Sequence, residues 1–593
     1  MKKQIFGLGL FLISITFTSC NDFLTLDPLD TVSYSPDFWD KESNIRLSTL
    51  DFYTTYFPGY RSGWSRADWF TQTNVADWTD DVAQLKATFF TKVAPVSTRG
   101  SGWDFDNVRA LNLQINSIEK SALNDEAKKH WLGVSRLLRG MEYASLVEKF
   151  GDVPYYADTI AQNNYNTLYK ARDPRTVVMD KVLDDFNFAV ENIRVSDGKA
   201  GLTINKDVAR AFASRFMLFE GTWQKYREKN NEAAKKYLIA AKNFAESIMN
   251  EGKYKLCNNY KDLTTSMDLA GNPEVIMYRA YVESIVTHSL MAFQNTEHEE
   301  SAPSKSLIDS YLTKNGLPIG QSGNNMFKGD KWFYDEIADR DPRLYANIDT
   351  TGLFLTGVVD VWAVSGYFGN RFVNESLKYL PGGRSSTCIT DAPVMKYNEV
   401  LMNYIEAAAE LSTLGAYNLT QKDFDKTINV LRDRPSTSMP HVTLDGGQLK
   451  VNGVVINDPK RDQDVSQLLW EIRRERRVEL VFEGIRFNDL RRWSKLNYAD
   501  MSLNPDLNRG AWVDKDRYVQ WYNAKYPNKK PLTVENLKGV HLDGGGNSGY
   551  ILPIKDKGEM RTYSEKDYLY PLPKDQITLY ESRGFKLPQN PGW

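Results

Sequence analysis

Glu471-Ile472-Arg473-Arg474-Glu475-Arg476-Arg477-Val478-Glu479-Leu480 runs directly into Val481-Phe482-Glu483-Gly484-Ile485-Arg486-Phe487-Asn488-Asp489-Leu490-Arg491-Arg492-Trp493. From Asp464 to Val481 the apolar residues Val465, Leu468, Leu469 and Ile472 recur at helical spacing. That predicts a helix with this stripe turned inward. The arginines that follow invite a nucleic-acid reading, but the alternation of sign argues against it. Acids three or four residues from a guanidinium lie beside it on a helix and pair with it. These charges are therefore expected to form internal guanidinium–carboxylate bridges that fix the helix against its surroundings. Arg486, Asp489 and Arg492 read the same way, as scaffold.

Helical pattern also dominates upstream, from Asn107 to about Gly252. Asp125 to Phe150 carries Trp131, Val134, Leu138, Met141 and Leu146 near helical spacing, and Gly151-Asp152-Val153-Pro154 stops it. Pro174 to Ile193, Asn205 to Tyr226 and Asn231 to Asn250 follow as further helices. Short breaks between them suggest antiparallel helix pairs, although no strict 34-residue consensus repeat is visible. From Asn272 to about Phe372, Pro, Gly and Asn are frequent. Long ordered loops with a few short strands, such as Glu274 to Tyr278, are expected there, and such loops often carry function. Helices return over Ala392 to Leu414 and Lys422 to Arg432. Turns at Asp445-Gly446-Gly447 and Asn452-Gly453 predict hairpins. The tail from Asn497 to Trp593 is aromatic and proline-punctuated, and no linker marks two independent domains.

The composition is that of ordinary globular protein, with 41% hydrophobic and 25% charged residues. The formal charge is -2, which argues against a nucleic-acid partner, since that usually needs a basic face. Aromatic residues make up 12% of the chain, with 14 Trp and 32 Tyr; most of these rings are expected in the core, so the total alone locates no site.

At the N-terminus, Lys2 and Lys3 precede an apolar run from Ile5 to Phe17, and Cys20 follows. The run is too short for a permanent membrane span and has the layout of a secretory signal. A cysteine directly after such a run is the acceptor position of a bacterial lipoprotein. The expectation is a signal peptide over residues 1–19, acylation of Cys20, and a mature chain of residues 20–593. Two or three acyl chains anchor far better than one. Cys257 and Cys388 have no recognisable disulfide spacing, and their pairing is left open.

Several segments together resemble the SusD/RagB family of outer-membrane lipoproteins. The helix rich in Glu and Arg, followed by Glu483-Gly484, Arg486 and Asp489-Leu490-Arg491-Arg492-Trp493, matches the family pattern almost throughout. Lys149-Phe150-Gly151-Asp152-Val153-Pro154 is similar to the end of the family's long N-terminal helix. Further matches are Ala302-Pro303-Ser304 with Tyr311 and Gly316-Leu317-Pro318, Asp339-Arg340-Asp341-Pro342-Arg343-Leu344, and Asp391 to Leu401, with Lys396 where Arg is usual. Asn429-Val430-Leu431-Arg432-Asp433-Arg434 and the terminus, Tyr570-Pro571-Leu572-Pro573 through Trp593, complete the series.

The resemblance implies a mainly α fold. A single α-helical body with four tetratricopeptide-like helix pairs would be covered by loop-rich insertions and a few short strands. The N-terminal helical part would take residues 20–253, and the loop-rich C-terminal part residues 254–593. The implied role is to bind an oligosaccharide or polysaccharide at the cell surface and pass it to a SusC-like TonB-dependent outer-membrane transporter. A peptide-binding lid of the RagB branch is the alternative. No cofactor and no metal is implied.

A sugar offers an apolar C–H face and a polar rim, so its site needs a flat ring with hydroxyl-directed side chains at the edge. Two stretches in expected loops offer both. The first is Gly63-Trp64-Ser65-Arg66-Ala67-Asp68-Trp69, followed by Asn74, Asp77-Trp78 and Asp80-Asp81. The second is Val361-Trp362-Ala363-Val364-Ser365-Gly366-Tyr367-Phe368-Gly369-Asn370-Arg371. Ligand-binding candidates are therefore Trp64, Trp69, Trp78, Asp80, Trp362, Tyr367 and Asn370. Trp103 reads as packing, with Trp512 and Trp521 as outside candidates. Family loops in these regions vary too much for contacts to be transferred. Signatures of catalysis are missing from the sequence. The five histidines are scattered, and Thr296-Glu297-His298-Glu299-Glu300 lacks a second histidine at metal-ligand spacing. No Gly-x-Ser-x-Gly elbow or Walker loop occurs. A binding protein, not an enzyme, is expected.

Overall fold

A computed structural model of the protein describes residues 36–65 and 77–593. The expected signal peptide and Cys20 lie outside these residues, as does Trp69. Among the described residues, no helix is long and apolar enough to cross a membrane.

The body is a series of helices packed in chain order. These are α1 (Glu42–Leu50), α2 (Asp106–Lys120), α3 (Asp125–Phe150), α4 (Arg175–Asn192), α5 (Lys206–Trp223) and α6 (Asn231–Glu251). α2 packs on α3, α3 on α4, α4 on α5, and α5 on α6. The Asn side chains of Asn124, Asn205 and Asn230 cap three of these helices by accepting from the first-turn amides. Two interior glycines set how closely helices approach. A Cβ on Gly140 of α3 would stand 2.7 Å from the Phe186 ring of α4, and one on Gly221 of α5 would stand 2.6 Å from Leu238 of α6. Trp103 is buried against Phe105 and Phe150, as packing predicts.

The chain then returns through α7 (Tyr397–Thr413), which lies on α6, and α8 (Gln467–Glu479), which lies on α7. α9 (Arg486–Arg492) follows and touches α5. The expected helix over Ala392 to Leu414 begins late. Ala392–Lys396 is instead a strand, antiparallel to Val275–Arg279. Pro393 disfavours helix at this point, and the buried Val275–Arg279 strand needs a partner for its backbone. The Lys422–Arg432 helix is likewise two short ones, Gln421–Asp425 and Ile428–Asp433. Beyond these elements the strands are short. They are β1 (Val82–Gln84) with β3 (Ser301–Pro303), β2 (Val275–Arg279) with β4 (Ala392–Lys396), a meander of β5 (Thr443–Asp445), β6 (Gln448–Val451) and β7 (Val454–Val455), and β8 (Trp512–Asp514) with β9 (Ser548–Tyr550). The meander turns at Gly446-Gly447 and Asn452-Gly453, as those residues predict.

The charged helix α8 is buried, and its bridges are internal. Glu479 lies between Arg343 and Arg434 at 2.9 Å each and also accepts from Asn398. Glu475 meets Arg343 and Arg432, Arg476 meets Asp489, and Arg473 meets Glu410. Glu406 of α7 accepts from Arg492 and from the Trp493 indole. These pairs hold α7, α8, α9 and the 339–347 loop together. Cys257 and Cys388 are both buried and unlinked.

Candidate functional site

Segment 281–300 pairs through its backbone with both aromatic stretches of the sequence. At its start the Gly63 amide donates to the Thr287 carbonyl at 2.9 Å, and His288 pairs with Cys388 through both backbone amides. Burial pushes the His288 imidazole down to about 4, so it is neutral, with Nε2 bonded to the Thr390 carbonyl. A short helical turn, Leu290–Phe293, comes next. Asn295 then donates to the carbonyls of Lys378 and Gly383, which pins the 377–384 loop beside it. At the end of the segment, the Glu299 amide donates to Trp362, and the Val364 amide donates back to Glu299. The Glu299 carboxyl is buried and accepts from the Gly369 amide. Burial raises its pKa well above the ordinary carboxylate range.

Two ring pairs result, five residues apart on this segment. Trp64, 55% exposed, meets Phe293 edge-on with centroids 6.0 Å apart. Trp362 stacks on the exposed His298 imidazole at 4.8 Å and 20°. Ile285 and Tyr379 stand on the flanking loops with 81% and 77% of their surface exposed. The segment thus combines these rings with exposed polar residues near them in sequence, Glu297, His298 and Glu300. A sugar's C–H face and hydroxyl rim require that combination.

The other candidates lie elsewhere. Trp78 is 4% exposed and packs edge-on against Phe90 and Phe487 at 5.5 Å, a core ring with no open face. Its place in the sequence beside acids suggested a loop platform, but the β1 strand draws it inward. Tyr367 is buried too, its hydroxyl donating to Glu336 at 2.9 Å. Asp80 is bound by Arg486 and Arg477 on the wall of an internal cavity. Burial opposes its charge, but those two guanidiniums hold its pKa down to about 2. Asn370 is half-buried, its backbone amide donating to Asn347. Of the outside candidates, Trp521 sits in a ring cluster with Trp332, Tyr334 and Tyr518, and Trp512 is half-buried in β8. Phe293 carried no signal in the sequence. His298 was visible only as part of a solvated acidic loop.

The sequence profile of the SusD family matches residues 359–593. No curated protein matches the chain in sequence. Among solved structures, a SusD-like carbohydrate-binding protein from Bacteroides fragilis superposes with a TM-score of 0.64 at 20% identity, covering 91% of this chain and 99% of that one. A surface glycan-binding protein A from Bacteroides fluxus superposes with a TM-score of 0.56 at 16% identity, over 93% and 100% of the two chains. A laminarin-binding SusD-like protein gives 0.53 at 16% identity, over 93% and 100%. At these identities the likeness is one of fold. The profile match carries the family motifs, including the buried Arg–Glu helix. Over residues 359–593 the chain is thus similar in sequence to the SusD family, and over nine-tenths of its length it shares the fold of SusD-like structures.

Proposed function

We propose that this protein is a lipid-anchored outer-membrane receptor that binds a glycan on the face formed by Trp64, Phe293, Trp362 and His298. It passes the glycan to a SusC-like TonB-dependent transporter. The observation that carries the reading is the two ring pairs held by segment 281–300, in which Trp64 and His298 are exposed and their partners Phe293 and Trp362 half-buried. The names of the structural relatives, carbohydrate-binding and laminarin-binding, support it. Binding is noncovalent, with ring faces selecting shape and the edge groups orienting hydroxyls. In this reading Cys20 carries the acyl anchor and no bond in the cargo is broken.

Calorimetry against a panel of purified glycans and against a peptide pool tests the cargo. Saturable heat with a glycan and none with peptides is expected. The reverse would assign the chain to peptide capture. Reducing-sugar release from the same panel would make it a hydrolase, and none is expected. Co-purification of a TonB-dependent transporter with the tagged chain tests the partner.

A further inference from the structure

Beneath the loops on α8 lies a cavity of about 800 Å³ that shares no residue with the aromatic face. That volume falls within the roughly 300–1,000 Å³ of small-molecule sites. Seven cationic and six anionic side chains line it. Each carboxylate already has a cation. Asp80 meets Arg486, Asp458 meets Arg474, and Asp462 meets Lys495. Asp309 and Asp330 share Lys305, and Asp506 meets Lys460. The cations are matched in turn, for example Arg477 by Asp81, Arg473 by Glu410 and Arg509 by Asp506.

A wall so neutralised has no spare charge for an ion. A guest with a net charge would leave its solvation without a counter-charge in return. The same wall is dense in donors and acceptors side by side, which suits groups that both donate and accept. Hydroxyls do this. Five rings complete the wall, Phe327, Trp470, Trp493, Tyr498 and Tyr550, and three of them are held by their polar tips on lining carboxylates. The Trp470 indole donates to Asp458 at 2.9 Å, the Tyr498 hydroxyl to Asp462 at 2.6 Å, and the Tyr550 hydroxyl to Asp330 at 2.6 Å. Tip bonding fixes the rings in place. Trp470 and Tyr498 meet edge-on with centroids 6.4 Å apart. Asn497 is half-buried on the lining, and its side chain makes no hydrogen bond among the described residues. Leu503, 63% exposed, sits at the rim.

We propose that this cavity is a second binding site, internal to the body, that takes a short neutral saccharide. It stands on its own residues and not on the aromatic face. The test uses the full chain carrying Trp64→Ala and Trp362→Ala, so that loss of binding at the face cannot decide the outcome. Maltose, cellobiose and lactose are titrated by saturation-transfer NMR, with glucuronate and glycylglycine as charged comparators. Saturable binding of at least one disaccharide is expected, with weaker or no binding of the comparators. Adding Asn497→Ala should weaken it fivefold or more, and adding Leu503→Trp should slow or block entry. Neither side chain makes a hydrogen bond among the described residues, and unchanged urea midpoints will confirm folding. Three results would overturn the proposal: no disaccharide binds, the comparators bind better, or both added substitutions leave binding unchanged.

Discussion

Glu479→Gln tests whether the charged helix is scaffold. The Glu479 carboxylate has no exposed surface, and its partners Arg343 and Arg434 have almost none. Burial alone would raise its pKa, but Arg434 and Arg343 overcome this and hold it at about 2 against an ordinary 4.5. That gap corresponds to about 3 kcal/mol of folded-state preference for the ionised form. Removing one member of a buried pair typically costs roughly 3–5 kcal/mol, which agrees. The substitution keeps the shape but places an amide NH₂ among guanidinium donors. At pH 7 the variant should therefore lose about 3 kcal/mol in urea unfolding followed by tryptophan fluorescence. The stabilisation from a depressed pKa is present above 4.5 and is lost as pH falls towards 2. The gap between wild type and variant should therefore shrink steadily as pH is lowered from 5 towards 3. A difference under 1 kcal/mol at pH 7, or one that does not change with pH, would refute the bridging account. Glycan binding should be unaffected by this substitution.

Glu148 gives the opposite pH dependence. It lines an internal pocket of about 270 Å³, accepts from Asn488, and is raised to about 7, chiefly by burial and despite Arg491 and Arg175. Its stabilisation is full below 4.5 and lost as pH rises to 7. Glu148→Gln should thus gain up to about 3 kcal/mol at pH 8 and nothing at pH 4.5, measured by urea unfolding. Gly140→Ala forces its methyl into the Phe186 ring, and a loss of about 1–3 kcal/mol in the same assay is expected. Cys20→Ala should abolish incorporation of an alkynyl fatty acid and release the chain from membranes. Continued labelling would place the anchor elsewhere.

Much of the fold was legible because helices announce themselves by period. Asp125 to Phe150 is found at the expected bounds, ended at Gly151. The sign alternation in Arg473 to Glu479 likewise anticipated bridges that the structure contains. The misreading at Ala392–Lys396 has a tertiary cause. Five apolar and basic residues took strand form because β2 needed a partner, a demand 113 to 121 positions distant in sequence. Ring roles were less legible. Trp362 and Tyr367 stand five residues apart in one loop, yet one stacks on exposed His298 and the other is tied to buried Glu336. Composition and spacing do not say which face of a loop meets the core. Trp64 and Trp362 are joined through segment 281–300, a relation of backbone pairing that no local pattern encodes.

The most direct measurement compares wild-type protein with the Trp64→Ala, Trp362→Ala double variant by calorimetry against laminarin and a panel of soluble glycans. A stacking ring contributes about 0.5–1.5 kcal/mol beyond the area it buries, and 1.4 kcal/mol is a factor of ten in affinity. The account predicts that at least one glycan binds the wild type and that the double variant loses tenfold or more, with its urea midpoint unchanged. Equal affinity in the two proteins, or no glycan bound by the wild type, would contradict it.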